Sequence, residues 1–340
     1  MALSSSFHAQ VSFEKAGTFQ AQGGFDEAGT EIIAFDQNTK TLFSSNGGLN
    51  QIDLINLTDG SSTVSQDLEP EYVAVVPDDM TAIVTLQENN AVAVVDLENM
   101  VIIDILPLGT KDHSKAENSP DANDKDKEAS LRQLPIHGMY MPDAISSMEI
   151  NAATYYVTAN EGDAREYDGL IEELKAGGIP LDPDAYPTAS SLQENDSIGR
   201  IKTSIFSGDS DNDGDFDKVH VYGARSFSIW DDAGNLVWDS KNAFEALLAA
   251  EYPESFNSTN DEAKIDNRSD NKGPEPEAIT VVEFDGMTYV FVGLKRMGGI
   301  MVYKVEDVNN PEFVSYINDR DYDAASPEEE GDLAPEDIKF

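Results

Sequence analysis

The chain has 340 residues, no cysteine, and 65 acidic residues against 22 lysines and arginines, a formal charge of −43. Disulfides and thiolate metal sites are therefore excluded, and so negative a surface disfavours nucleic acid and anionic membranes as partners. At 40% hydrophobic the chain can bury a core, and no apolar run approaches the ~18 residues of a membrane span. Most of the acidic excess reads as a solvated surface suited to salty, halophilic or marine surroundings.

In chain order, "MALSSSFHAQ" has neither a basic start nor an apolar stretch, so it does not read as a secretory signal. From Glu31 a unit recurs: an acidic residue, a short apolar strand, a turn, then further β-rich runs. It begins in "AGTEIIAFDQNTKTLFSSN" and returns from Glu69 in "EPEYVAVVPDDMTAIVTLQENNAVAVVDL", with turns at "PDDM" and "QENN". It starts again from Met141 in "MPDAISSMEINAATYYVTAN" and from Glu275 in "EPEAITVVEFDGMTYVFVGLKRMGGIMVYKV". "DKVHVYGARSFSIWDDAGNLVWDS" has the same texture without the acidic opening, and "APEDIKF" makes a last start.

Short strands with turn signals in units of roughly 40 residues predict an all-β fold, a propeller of roughly five to seven blades. The expected organisation is one domain over residues 1–340. A β-sandwich is the alternative. In a propeller the openings Glu31, Glu71, Asp143, Glu277 and Glu336 converge at one mouth, which a sandwich does not require. Any one of them alone reads as a solvated turn carboxylate.

Two insertions interrupt the units. Residues 108–144 are polar and too long for a hairpin loop, and residues 167–198 contain two expected helices, "GLIEELKAG" and "DAYPTASSLQEN". Long loops on a propeller face are the expected carriers of function. Asp121, Asp124 and Asp126, in the first insertion, read as a solvated charge run, with a second metal site as the weaker alternative.

"GDSDNDGDFDKV" sets Asp209, Asp211, Asp213, Asp215 and Asp217 at alternate positions around Gly214. Alternate carboxylates can fold around one hard cation while the glycine allows the reversal, as in calcium loops of the D-x-D-x-D-G type. An EF-hand would have a bidentate Glu at the twelfth position, where this chain has His220, and "DKVHVYG" reads as strand. The expectation is a Ca²⁺ loop outside the EF-hand fold; an acidic surface turn is the alternative.

"TANEGDAREYDG", "GLKRMGGIMVY", "SDNKGPEPEAI", "GARSFSIWDDAGNLVWDS", "LGTKDHS" and "GMYMPDAI" together resemble the choice-of-anchor I family of secreted bacterial β-propeller proteins. The resemblance runs from about Gly17 to Phe340. Some members are described as alkaline phosphatase-like, and related animal sequences as mesenchyme-specific cell surface glycoproteins. The resemblance implies an extracellular, periplasmic or cell-surface location. Members of that family have more sequence between the first blade and "EPEYVAV" and continue past "PEDIKF", which implies a smaller propeller or an incomplete ring.

With phosphate chemistry implied, the few cations become informative. Arg165, Arg225, Lys295, Arg296, Lys111 and His113 are expected near the mouth, where they and a carboxylate-held calcium would bind and polarise a phosphate ester. Glu161, Asp163 and Glu277 would act as ligands or general bases. Alternatively, Arg165 and Arg225 are ion-pair partners of channel acids, and His113 is an exposed loop residue. Ser226 lacks a Gly-x-Ser-x-Gly context, which sets a serine hydrolase aside. The rival function is a non-catalytic, calcium-stiffened binding or adhesion propeller with a surface ligand; a phytase-like phosphatase is a third reading.

Overall fold

The computed structural model describes residues 33–36, 41–46, 51–56 and 62–66 as backbone strands, then residues 68–339 apart from 78–79, 166–171, 325 and 327–328. Glu31 and residues 169–171 of the first expected helix lie outside them. Labelled in chain order, β1 (Ile33–Asp36), β2 (Thr41–Asn46), β3 (Gln51–Asn56) and β4 (Ser62–Gln66) form one antiparallel sheet. The second is β5 (Pro70–Val75), β6 (Thr81–Leu86), β7 (Ala91–Asp96) and β8 (Val101–Pro107). Here β7, "AVAVVD", is an inner strand and apolar on both faces, as a covered strand should be.

The third sheet is discontinuous in sequence. It pairs β11 (Ile145–Ile150) and β12 (Ala153–Ala159) with β16 (Phe227–Asp231) and β17 (Leu236–Asp239), across the seam Ala159↔Phe227. The runs from Met141 and from "DKVHVYG" are thus two halves of one blade. Between and before them, β9 (Thr110–Asp112), β10 (His137–Met139), β13 (Glu173–Lys175), β14 (Lys202–Ser204) and β15 (His220–Val221) build a separate five-stranded sheet. Both insertions contribute to it, and its own core includes Ile136, Ile198, Ile201 and Val219.

The fourth sheet, β18 (Pro276–Phe284), β19 (Met287–Leu294), β20 (Ile300–Val305) and β21 (Glu312–Ile317), is an uninterrupted meander. Its first hairpin turns at Asp285 and Gly286, with φ of 53° and 74°, the two left-handed positions of a type I′ turn. β1 lies beside β5, β5 beside β11, and β11 beside β18, so the four sheets succeed one another as propeller blades. Apolar layers fill the gaps: Ile83, Val92, Tyr156 and Trp230 between the second and third, and Val157, Phe227, Val290 and Met301 between the third and fourth. Among the described residues there are four such sheets, against the five to seven expected.

One backbone device repeats. Glu69, Met141, Glu275 and Ala334 have φ of 44°, 43°, 51° and 48°, and each precedes a proline and then an acidic residue: Glu71, Asp143, Glu277 and Glu336. Left-handed backbone at a non-glycine residue is strained and survives only where its surroundings enforce it. In β5 and β18 the ladder slips just after the proline, between Pro70 and Val73 and between Pro276 and Ile279. Bulges of this kind re-aim side chains at a sheet's end.

Two helix expectations are corrected. "GLIEELKAG" is not an α-helix where it is described: Glu173–Lys175 is β13, with Glu173 opposite Ser204 and Lys175 opposite Lys202, and only a single 3-10 turn follows at Ala176–Gly178, so sheet pairing overrides local propensity. The longest helix among the described residues, α2 (Ala243–Glu251), is not among the expected elements, although "AFEALLAAE" is rich in helix formers. Phe244 and Leu248 of α2 enter the core between the third and fourth sheets. The short α1 (Ala189–Leu192) lies within the second expected helix.

Candidate functional site

Three sheets meet at Asp143. Its N–H donates to the Ala159 carbonyl at 3.1 Å in its own sheet, and the next amide, Ala144, donates to the Glu277 carbonyl of β18 at 3.3 Å. Its own carbonyl accepts the Thr85 hydroxyl of β6 at 2.7 Å. Glu161 arrives just past β12 at a close backbone crossing. Gly162 and Gly223 have φ of +85° and +75° there, and a Cβ on either would run into the backbone of the opposing strand. As a result, oxygens of Asp143, Glu161 and Glu277 all lie within 4.8 Å of one another, and all three residues are buried.

Cations from two later segments face this cluster. Lys272 Nζ lies 3.1 Å from Glu161 and 3.5 Å from Asp163; Lys295 Nζ lies 2.8 Å from Glu277 and 3.8 Å from Glu161. Gln87 donates to Glu161 Oε2 at 3.2 Å. Fully buried Glu275 anchors the outer layer, paired with Arg268 and, at 2.8 Å, with Arg296. Asp143 Oδ1 and Glu277 Oε2 are both buried with no hydrogen-bond partner, but Glu277 Oε2 has the Lys295 ammonium at 2.8 Å.

Protonation follows from these placements. Burial, then the Glu161 and Glu277 charges, hold Asp143 well above the usual carboxylate range. Burial and Glu161 push Glu277 to about 7, with Lys295 opposing. Glu161 is raised by burial, which Lys272 and Lys295 partly offset. For Lys272, burial would lower the pKa, but Glu161, Glu275 and Asp163 overcome it and keep the ammonium charged. Glu71 and Glu336 complete the set of described openings: the first adds repulsion at Asp143, the second at Glu277. Glu336 itself is exposed.

Of the other expected site residues, Asp163 is exposed beside Lys272. Arg165 donates to Asn89 Oδ1 at 2.7 Å, and Glu172 Oε2 accepts its backbone N–H. Arg296 is spanned between Glu275 and Asn260. Arg225 is a buried structural clamp, holding Glu245 at 2.9 Å and the carbonyls of Asp121, Ser269 and Asn271. Lys111 is likewise buried, 2.7 Å from Asp239. His113 is not the exposed loop residue expected: it is 2% exposed, its Nδ1 pairs with the Asn118 carbonyl, and burial followed by Lys111 lowers its pKa to about 3. Lys272 and Gln87 were missed, although Lys272 lies in the quoted "SDNKGPEPEAI" and its i+3 neighbour is Glu275.

The aspartate loop has another character. Oxygens of Asp209, Asp211 and Asp217 lie within 4.8 Å of one another, with Asp211 exposed; Asp213 and Asp215 fall outside that group. Asp209 accepts the Asn212 and Gly214 amides at 2.7 and 3.1 Å, and Asp217 accepts Ser210 N at 2.6 Å. Gly214 and Asn212 are left-handed, with φ of 102° and 62°. Asp213 chiefly raises Asp211, a like-charge effect.

Both acidic groups offer only carboxylate oxygens, the donor type preferred by hard cations such as Ca²⁺. The mouth adds an orphaned buried oxygen, which a cation would satisfy.

Residues 18–308 match the choice-of-anchor I domain. The chain is 28% identical over 302 residues to a mesenchyme-specific cell surface glycoprotein of Strongylocentrotus purpuratus, covering 78% of this chain and 38% of that protein. It is 36% identical over 119 residues to gigasin-3a of Magallana gigas, covering 33% of this chain and 42% of that protein. The chain thus spans less than half the length of these curated relatives. Among solved structures, the Dos1 propeller aligns over 88% of this chain and 51% of its own, at 10% identity and a TM-score of 0.40. The Cps50 (Swd1) propeller domain of Myceliophteria thermophila aligns over 85% and 71%, at 8% and 0.31. At that level of similarity neither adds to what the sheets establish. No described helix is long and apolar enough to cross a membrane. From its match over most of its length, the chain belongs to the choice-of-anchor I family.

Proposed function

We propose that this is an extracellular or cell-surface propeller that binds an anionic ligand through a divalent cation held in its mouth by Asp143, Glu161 and Glu277. The observation that carries this reading is the convergence of three buried carboxylates, one of which, Asp143, has a buried oxygen with no hydrogen-bond partner. Such a group stays strained or protonated unless a cation meets it. A cation there would also take over the charge that Lys272 and Lys295 now neutralise, leaving both ammonium groups able to hold a phosphate or carboxylate. The name of the Strongylocentrotus purpuratus relative, a mesenchyme-specific cell surface glycoprotein, agrees with this location. A calcium ion at Asp209, Asp211 and Asp217 would serve separately to stiffen the second-insertion side of the molecule.

Hydrolysis of phosphate esters, whether alkaline phosphatase-like or phytase-like, is the second reading. It is favoured by Glu277, near neutrality in pKa and 2.8 Å from Lys295, a suitable pairing for proton transfer at neutral pH. When bound, the cation would polarise the ester and its attacking water. Against it stand the arginines: Arg225 is buried and bound to Glu245 and three carbonyls, Arg296 is held by Glu275 and Asn260, and Arg165 by Asn89.

The test is terbium and calcium titration of the parent chain and of an Asp143→Asn/Glu277→Gln variant. One site should disappear in the variant; equal stoichiometry and affinity would remove the cation from the mouth. A parallel assay uses 4-nitrophenyl phosphate and its diester, with calcium and with chelator. Calcium-dependent turnover lost in the variant would put hydrolysis first, and absence of turnover in cation-loaded protein would leave the binding reading.

A further inference from the structure

The three mouth carboxylates are not equally ready for a cation. Asp143 Oδ1 is buried with no hydrogen-bond partner. Glu161 Oε2 accepts a hydrogen bond from the neutral Gln87 amide at 3.2 Å, and a neutral donor yields to a cation more readily than a charged one does. Glu277 is covered on both oxygens: Lys295 Nζ donates to its Oε1 at 2.9 Å and stands 2.8 Å from its Oε2. The same ammonium lies 3.8 Å from Glu161. Lys295 thus bridges two of the three carboxylates, as a bound cation would.

The two mouth lysines are held differently. Lys272 is pinned by Glu161 at 3.1 Å, Asp163 at 3.5 Å and Glu275 at 3.8 Å, and its side chain is 8% exposed. If Glu161 turned to a cation, Asp163 and Glu275 would still hold it. Among the described residues Lys295 has ion pairs only with Glu277 and Glu161, the two carboxylates a cation would claim. Its side chain is 22% exposed, so one flank already faces water. The backbone stays put, because the Lys295 N–H donates to the Glu275 carbonyl at 2.9 Å. Only the flexible four-carbon stem has to turn.

An ammonium and a divalent cation cannot share so small a cluster, since like charges a few ångströms apart repel strongly where water is excluded. A cation entering among Asp143, Glu161 and Glu277 therefore expels Lys295. Without the cation, the docked lysine closes the site and weakens apparent cation affinity by the fraction of molecules it occupies.

We propose, on the footing of the mouth cation proposed above, that Lys295 is a built-in plug of that site, docked on Glu277 and Glu161 when the cation is absent and displaced when it enters. Lys272 stays in place in both states. The displaced ammonium then meets the anionic phosphate or carboxylate, so anion binding follows cation binding and does not precede it.

The experiment uses the full chain. Amines are acetylated with N-hydroxysuccinimide acetate in saturating calcium and in chelator, and each lysine is read by mass spectrometry, with exposed Lys115 as the reference. Calcium should speed acetylation of Lys295 about tenfold and leave Lys272 protected in both buffers. In calorimetric titration, Lys295→Met should bind calcium at the mouth about tenfold more tightly than the parent. A proton taken up by Glu277 in the variant does not reverse this, because it brings one charge where the cation brings two. A parent chain that loads its mouth with calcium while Lys295 stays protected overturns the plug, whether or not the variant folds. So does a folded Lys295→Met chain with unchanged or weaker affinity. Calcium binding that survives Asp143→Asn/Glu277→Gln undiminished fails at an earlier point, removing the mouth cation and the plug with it.

Discussion

The mouth and the aspartate loop use the same functional group in opposite ways. In the loop, Asp209 and Asp217 are satisfied by amides a few residues away, and Asp211 stands in solvent, so local sequence organises the charge. In the mouth, Asp143, Glu161 and Glu277 come from three separate segments, are buried, and are balanced by lysines from two further segments. An exposed cluster spreads its repulsion into water, whereas a buried one must be held by the whole fold. The loop is therefore one contiguous motif and energetically modest, while the mouth is assembled from distant segments and strongly coupled.

The sharpest way to break that comparison is at Lys272, which touches Glu161, Asp163 and Glu275. Lys272→Met leaves buried Glu161 with only Lys295 at 3.8 Å and the Gln87 amide, and should lower stability by about 3 kcal/mol, roughly ten degrees in Tm. A loss below about 1 kcal/mol would make the mouth as lightly coupled as a surface pair.

Next is Glu88, beside Gln87, whose Oε2 is buried without a partner and whose pKa burial lifts to about 8. With the folded pKa above the unfolded one, the folded chain holds the proton more tightly. Stability then falls as pH rises from about 4.5 toward 8. Glu88→Gln should raise Tm by a few degrees at pH 8 and leave it unchanged at pH 4, in thermal scans at both pH values. Equal shifts at both would show a packing effect instead.

The smallest effect belongs to the loop. Asp211→Ala with Asp213→Ala should lower stability by about 1.4 kcal/mol at calcium tenfold above Kd. In chelator the same variant should lose nothing, because repulsion from Asp213 is what raises Asp211. Matching losses in both buffers would take calcium out of the loop.

What could be read in the sequence divides along the same line. The acidic openings were visible because strand, turn and charge recur, and three of those described, Glu71, Asp143 and Glu277, follow a left-handed residue and a proline at the head of a sheet. That recurrence also pointed to the mouth. The third blade was not recoverable, because β12 and β16 are neighbours only after residues 160–226 have gone elsewhere. Lys272 was missed for a related reason: a lysine in "SDNKGPEPEAI" reads as surface until its segment is seen folded over Glu161. Asp121 was misread because composition reports charge and not the amides of Asn123 and Ser130 that bury it. Nothing local marks Arg225 as a clamp, since its four partners come from three other parts of the chain.

The divided third blade also bears on how the chain reaches this state. Its neighbours zip from tight turns such as Asp285-Gly286, whereas the seam Ala159↔Phe227 must close a loop spanning residues 160–226. Relative to a two-residue turn that is about five doublings of loop length, about 3 kcal/mol of chain entropy. The five-stranded sheet, with its own apolar centre, can recover this by ordering the intervening residues before the seam forms. The excursion is in that sense a folding intermediary: its early collapse would bring the two halves of the blade within reach, and until it does, the edge of β12 stands open to any other strand.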